Sequence, residues 1–255
     1  MGNSSDLQAH RFKAFTGNRC CALVYLKSFV DIEQLNKSLL SPLLQYTAPP
    51  MDMQNMAKVL PYAGTQEITS FQEFCQALAW GQVVLLVSGF KSALQIPLKK
   101  YEQRSITEPE NEKLVRGPRD SFVESIWSNI GLIRQRIKNP DFRIEMNTLG
   151  TKTSVELGIV YVEGIANREI VDEVRHRLKR IDIDRLLSSG AVNEFISDSP
   201  LSPFPTYQHT ERPDRLTSAL LVSDFQSSYS NGIFHSARIY AYNSKGEKPS
   251  WIDVF

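Results

Sequence analysis

The chain has 255 residues, 42% of them hydrophobic and 22% charged, with a formal net charge of +1; that is enough apolar material for one large or two smaller globular domains. A balance so close to neutral excludes broad electrostatic binding of nucleic acid, which needs a strongly basic face. The three cysteines, Cys20, Cys21 and Cys75, form neither a CxxC pair nor a disulfide framework and read as reduced packing residues.

Met1 to Arg11 is polar and lacks the apolar stretch of a signal peptide, so the residues ahead of Cys20 read as a leader. Cys20 to Leu26 is a compact apolar run suited to a buried strand. Asp31 then caps a helix in which Ile32, Leu35, Leu39, Leu40 and Leu43 recur at helical spacing, and Pro42 is expected to end it early. Gln45 to Gln66 is expected to be mostly loop, with one short helix at Met53 to Val59. Thr69 or Ser70 opens the next helix, through Phe71, Phe74, Cys75 and Leu78, and Gly81 ends it. Val83 to Val87 and Ala93 to Ile96 flank Ser88-Gly89-Phe90-Lys91 as a β-hairpin. Val83 to Val87 is also the longest apolar run, far short of the roughly 20 residues that cross a bilayer.

Arg104 to Asp120 is dense in charge and contains Pro109 and Gly117-Pro118, which is connector chemistry. We therefore expect an α/β protein of two subdomains with mixed sheets. The first spans 1–107, a connector follows at 108–120, and the second spans 121–221. Ser121 and Glu124 read as a capping box for a helix whose buried stripe is Phe122, Ile126, Ile130, Ile133 and Ile137. Phe142 to Leu149 and Ser154 to Val162 form a second hairpin. Asn167 caps a helix through Ile170, Val171, Val174 and Leu178. Shorter helical pieces are expected around Asp184 to Leu187 and Val192 to Ile196, and a last helix at Asp214 to Leu221.

The two halves resemble each other. ALVYLKSFVDIE from Ala22 aligns without gaps on GIVYVEGIANRE from Gly158, matching Val24 with Val160, Tyr25 with Tyr161 and Glu33 with Glu169. Both read as a strand, a short turn and an N-capped helix. The repeat forecasts a hairpin after the helix at Asp214 to Leu221. The residues from Val222 are instead rich in serine, asparagine and tyrosine, and only Ala237 to Tyr242 alternates like a strand. We expect 222–255 to be a divergent, poorly ordered tail, and the second half to be marginally stable for want of that hairpin.

Catalytic chemistry finds little footing. Ser88 to Lys91 matches S-x-x-K, but on a hairpin turn and without the partner motifs that acyl transfer needs. His10, His176, His209 and His235 are scattered and set up no zinc-type spacing. No cofactor or metal is expected. The group that stands out is Arg116, Arg119, Arg134 and Arg136: Arg116 and Arg119 lie with Glu124 around one helix start, Arg134 and Arg136 toward the C-terminal end of that helix, and Glu211 and Arg212 ahead of another helix. A helix N-terminus flanked by arginines suits a carboxylate or a docking partner. The competing reading is that these arginines pair internally with Glu108, Glu110, Glu112 or Glu124, and we favour it, because charge clusters near a domain boundary are commonly structural ion pairs.

Two long stretches, EPENEKLVRGPRDSFVESIWSNIGLIRQRIKNPDF from Glu108 and SPFPTYQHTERPDRLTSALL from Ser202, resemble signature segments of the A-subunit family of spore germination receptors, and GIVYVEGIAN and Ile181-Asp182-Ile183-Asp184 fit as well. The resemblance runs from about Asp6 to Leu221. It implies a non-enzymatic receptor component: a hydrophilic N-terminal domain of two α/β subdomains, ahead of a membrane region that this chain stops short of. It further implies other receptor subunits as partners and a small nutrient, an amino acid or sugar, as the signal, which this domain senses or transmits; the alternatives are a purely structural scaffold for those subunits and, less favoured, a small-molecule enzyme on an α/β scaffold. The full-length family member is placed at the spore inner membrane, and this chain alone is expected to be soluble and cytoplasmic, reaching the membrane through the full-length protein or its partners. Two departures stand out. Ser88-Gly89 replaces the family's aspartate-glycine turn, and the chain diverges at Val222, which reads as a frame-shifted end, an artificial one or a true divergent end, the first being favoured.

Overall fold

A computed structural model describes residues 2, 4–15, 19–46, 52–99, 118, 120–150, 155–182, 192, 195, 207–221, 237–241 and 250–254. By its internal contacts the chain divides into two units. Unit 1 comprises Met1–Gly2, Asp6–Gln103 and Lys138–Pro140; unit 2 comprises Asn3–Ser5, Arg104–Ile137 and Asp141–Phe255. Of the expected connector, 108–120, only Pro118 and Asp120 lie within the described residues.

Unit 1 begins where the sequence reading expected a leader. Leu7–Ala14 is strand β1, paired antiparallel along its whole length with β2, Arg19–Leu26. Its polarity hid it: most of its side chains are exposed, as on an edge strand. Asp31 caps α1 (Ile32–Leu35) by accepting the amides of Glu33 and Gln34. The chain then widens into a π-helical turn at Asn36–Leu40 and continues as α2, Ser41–Gln45. Pro42 therefore does not end the helix as expected. The wide turn puts it in the first turn of α2, where a missing N–H costs least. Next come α3 (Met53–Val59), β3 (Gln66–Ile68) and α4 (Phe71–Ala79). Ser70 and Glu73 close a reciprocal capping box on α4, and Gly81 at φ +81° ends the turn behind it. The hairpin β4 (Val83–Val87) and β5 (Ala93–Ile96) falls where the apolar runs placed it.

In unit 2, α5 spans Ile126–Arg136. Its stripe is as read: Phe122, Ile126, Ile130, Ile133 and Ile137 are all buried. Its cap is not. Ser125 accepts the Ser128 amide and starts the helix, while the Ser121 hydroxyl donates to the Glu211 carbonyl oxygen. The chain ahead of α5 is occupied in that tie, so the first turn forms four residues late. β6 (Phe142–Leu149) and β7 (Val155–Val162) make the second hairpin, and Asn167 caps α6, Arg168–Lys179. β8 (Tyr207–Thr210) and α7 (Pro213–Leu221) follow. The helical pieces expected at 184–187 and 192–196 lie outside the described residues except for Val192 and Phe195.

Of the segment expected to be a divergent tail, 237–241 and 250–254 are described, and both are strands. β9 (Ala237–Ala241) pairs with β7, and β10 (Ser250–Val254) pairs with β9 and β8. The strand order is β1-β2-β4-β5-β3 in unit 1 and β6-β7-β9-β10-β8 in unit 2, so the halves are topological copies and the forecast hairpin is present. The α/β class holds, and every described pairing is antiparallel rather than mixed, because neighbouring strands are joined as hairpins or return through helices to the opposite sense.

Each sheet separates two apolar layers. In unit 1, Leu23, Leu26, Leu85, Leu94 and Ile96 pack with Leu35, Leu39 and Leu43, while Val24, Val84, Ala93 and Ile68 pack with Ala77 and Leu78 of α4 on the opposite side. In unit 2, Leu157, Ile159 and Tyr161 pack with Val171, Val174 and Leu178 of α6. Ile144, Val160 and Val162 pack under both the α5 stripe and Leu216 and Leu220 of α7.

Candidate functional site

Of the six residues Arg116, Arg119, Glu124, Arg134, Glu211 and Arg212, four lie within the described residues. Arg116 and Arg119 lie outside the described residues. Glu124 is exposed ahead of α5, and the N-terminus it was expected to cap is capped by Ser125. Arg134 points the other way from solvent. It is fully buried, donates to the Ser4 hydroxyl (3.1 Å) and the Phe142 carbonyl oxygen (3.3 Å), and lies with its guanidinium 4.8 Å from the Phe142 ring centroid. Ser4 also accepts the Ile144 amide at 3.1 Å, so the arginine fastens the N-terminal residues to the β6 edge. Arg136 pairs with Asp120.

Around the second helix start, the Glu211 carbonyl oxygen accepts from the Phe122 amide (2.9 Å) and from the Ser121 hydroxyl (3.2 Å). Arg212 is buried and donates through Nε to Asp214 (3.0 Å) as well as through its Nη2. Burial by itself would raise the Asp214 carboxyl; the hydrogen bonds and charge of Arg212 overcome it and hold the group below its ordinary value. Asn129, fully buried on α5, accepts the Val123 amide (2.8 Å) and donates to its carbonyl oxygen (2.6 Å). The side chain of Asn129 thereby completes a backbone-like clamp on the extended chain ahead of the helix. Arg134, Arg136 and Arg212 thus engage Ser4, Phe142, Asp120 and Asp214; of the glutamates expected as partners, Glu108, Glu110 and Glu112 lie outside the described residues.

A second polar group escaped the sequence reading. Arg175 of α6 grips Glu145 of β6 with both Nε (2.7 Å) and Nη2, reaches the Tyr161 hydroxyl (3.1 Å) and pairs with Asp172. Tyr161 donates to Glu145 at 2.7 Å. The Arg175 hydrogen bonds hold Glu145 below its ordinary range against the opposing effect of burial. Burial, reinforced by the adjacent carboxylate, pushes Tyr161 up to about 12. Beside them Arg168 pairs with Glu163 (2.6 Å), and the residues enclose a hollow of about 280 Å³. The available signal was parity: Glu145 and Tyr161 share the sheet face that α6 covers, which puts a carboxylate where an apolar residue is usual. Nothing local named Arg175 as its partner, 30 residues on.

Among the described residues no group of histidine, cysteine and carboxylate side chains is placed to hold a metal ion. Ser88 and Lys91 sit exposed in the β4–β5 turn, away from any helix start, and all three cysteines are free thiols.

Residues 1–222 match the model of the Bacillus/Clostridium GerA spore germination protein family. The chain belongs to this family. It is 34% identical over 229 residues to spore germination protein KA of Bacillus subtilis, covering 88% of this chain and 42% of that protein. It is 33% identical over 223 residues to the uncharacterized membrane protein YfkQ of the same organism, covering 87% of this chain and 43% of YfkQ. The GerA-family chain therefore spans less than half the length of the curated relatives it matches. The crystal structure of the N-terminal domain of the A subunit of the Bacillus megaterium spore germinant receptor GerK3 superposes with a TM-score of 0.64 at 27% identity, covering 99% of this chain and 89% of that one. The GerA-family chain accordingly has the fold of an A-subunit N-terminal domain. The family is non-enzymatic. Among the described residues no helix is long and apolar enough to cross a membrane.

Proposed function

We propose that this chain is the part of a nutrient-germinant receptor that carries a signal between subunits, rather than the part that captures the nutrient at Arg134, Arg136 or Arg212. The observation that carries this reading is the internal engagement of Arg134, Arg136 and Arg212 with Ser4, Phe142, Asp120 and Asp214. A germinant carboxylate would have to break contacts that hold the fold. In this reading the partners are other receptor subunits, Glu124 and Glu211 lie on contact surfaces, and association with the spore inner membrane comes through the longer protein or those partners.

A second reading has one observation in its favour. The hollow beside Tyr161, Arg168 and Arg175 carries both charge signs in about 280 Å³, a volume and polarity suited to an amino acid or sugar. A two-dimensional amide spectrum of the purified chain, recorded alone and with a pool of amino acids and sugars, separates the two. Peaks that stay in place support transmission. Saturable movement confined to residues 161–175 would replace it with sensing at that hollow.

A further inference from the structure

The two units repeat one topology, yet their corresponding sheet faces are covered differently. In unit 2 the face bearing Ile144, Val160 and Gly158 lies under two helices, α7 and α5. Gly158 marks where α5 rests: a Cβ built there would meet Ile126 Cδ1 and Met146 Sδ, each at 3.5 Å. In unit 1 the matching face has α4 in the place of α7, over Val24, Val84 and Ala93. Among the described residues no helix stands in the place of α5. Ala22, which aligns with Gly158, is only half-buried, and Leu86 beside it is 38% exposed on an otherwise buried central strand.

What remains there is a hollow of about 630 Å³ on the sheet. Arg11, Ala22 and Leu86 form one cross-strand row, and Lys13 stands opposite Cys20 in the next. Arg11 and Lys13 are exposed, and no carboxylate is among the lining residues. Arg19, at the rim, lies over Phe90 at 5.5 Å and donates to the Ser88 carbonyl oxygen. An apolar floor with cations along one side and no acid is complementary to an apolar stripe flanked by acidic residues.

We propose that this face of unit 1 docks an amphipathic helix from a partner protein, with an aliphatic stripe like that of α5 and acidic residues beside it. Unit 2 supplies the pattern of the occupant, since the equivalent surface there is closed by an isoleucine-striped helix packed on the sheet. Leu86 and Ala22 receive the stripe; Arg11 and Lys13 meet its acidic flank. The site stands whether or not the chain transmits a nutrient signal.

The test uses the whole chain and a labelled synthetic peptide that keeps the Phe122, Ile126, Ile130, Ile133 and Ile137 spacing with glutamate at the flanking positions; a second peptide has lysine there. Fluorescence anisotropy should show saturable binding of the glutamate peptide, with the lysine peptide weaker by about tenfold or more at low salt. Leu86→Glu should abolish binding. The surface double variant Arg11→Glu/Lys13→Glu, which alters only exposed side chains, should reverse the preference between peptides while leaving the circular dichroism spectrum unchanged. No saturable binding of the glutamate peptide, or binding indifferent to both variants, overturns the proposal. A concentration-dependent dimer of the free chain that Leu86→Glu dissolves would also overturn it, by making a second copy the occupant.

Discussion

At the scale of single residues, the polar groups that looked functional in the sequence divide by whether their partners lie nearby in the chain. Asp31, Ser70 and Asn167 cap the helices they were read to cap, because a cap is a contact across two or three residues. Arg134 and Arg175 find partners 130 and 30 residues away. The Glu145–Tyr161–Arg175 group makes a pH prediction. Tyr161 holds its proton more tightly in the folded chain, up to about 12, than in the unfolded one, at roughly 10. Its contribution to stability is therefore complete below about pH 10 and is lost as pH rises towards about 12. Glu145 has the opposite sign. Its folded value is depressed, so its contribution is present above the unfolded value of about 4.3 and is lost as pH falls through the folded one. Denaturant unfolding across pH should show Tyr161→Phe with a flatter alkaline limb and Glu145→Gln with a flatter acid limb. Unchanged limbs would dissolve the group as a unit.

At the scale of elements, end signals and apolar stripes placed most helices and strands, and failed where another element competed for the same residues. The α5 stripe is right and its start wrong, because Ser121 and Phe122 are tied to Glu211. The turn from α4 to β4 shows how narrow such a junction is. Gly81 has φ +81°, and a Cβ there would fall 2.8 Å from Phe29 Cδ2, in the buried core. Gly81→Ala should lower stability by about 2–3 kcal/mol, combining backbone strain with displacement of Phe29. Urea unfolding measures it, and a loss under about 0.5 kcal/mol would show that the turn relaxes freely.

At the scale of the whole chain, the halves share a strand order although the aligned identities are few. In unit 2 the order is completed by β9 and β10, which lie beyond the stretch matched by the family. A chain ended after Leu221 should therefore leave the inner edge of β7 unpaired. We expect faster amide exchange across Leu157–Val160 and concentration-dependent association by sedimentation, both absent from the 255-residue chain. Equal exchange and a monomer in both would show that β9 contributes no pairing energy.

The amino-acid order by itself determined the α/β class, both hairpins read from apolar runs, the capped helices, the α5 stripe and the repeat that joins Val24-Tyr25 to Val160-Tyr161. These rest on periodicity and on contacts a few residues long, which are written locally. It also carried the family, through long stretches that chance does not assemble. Tertiary structure alone decided that a polar leader is an edge strand, that Arg134 is core rather than surface, that Glu145 has a partner on α6, and that no described helix covers Leu86 on the sheet of unit 1. Each of these depends on which surfaces meet after distant segments pair, and on whether a charge leaves water with a partner or without one.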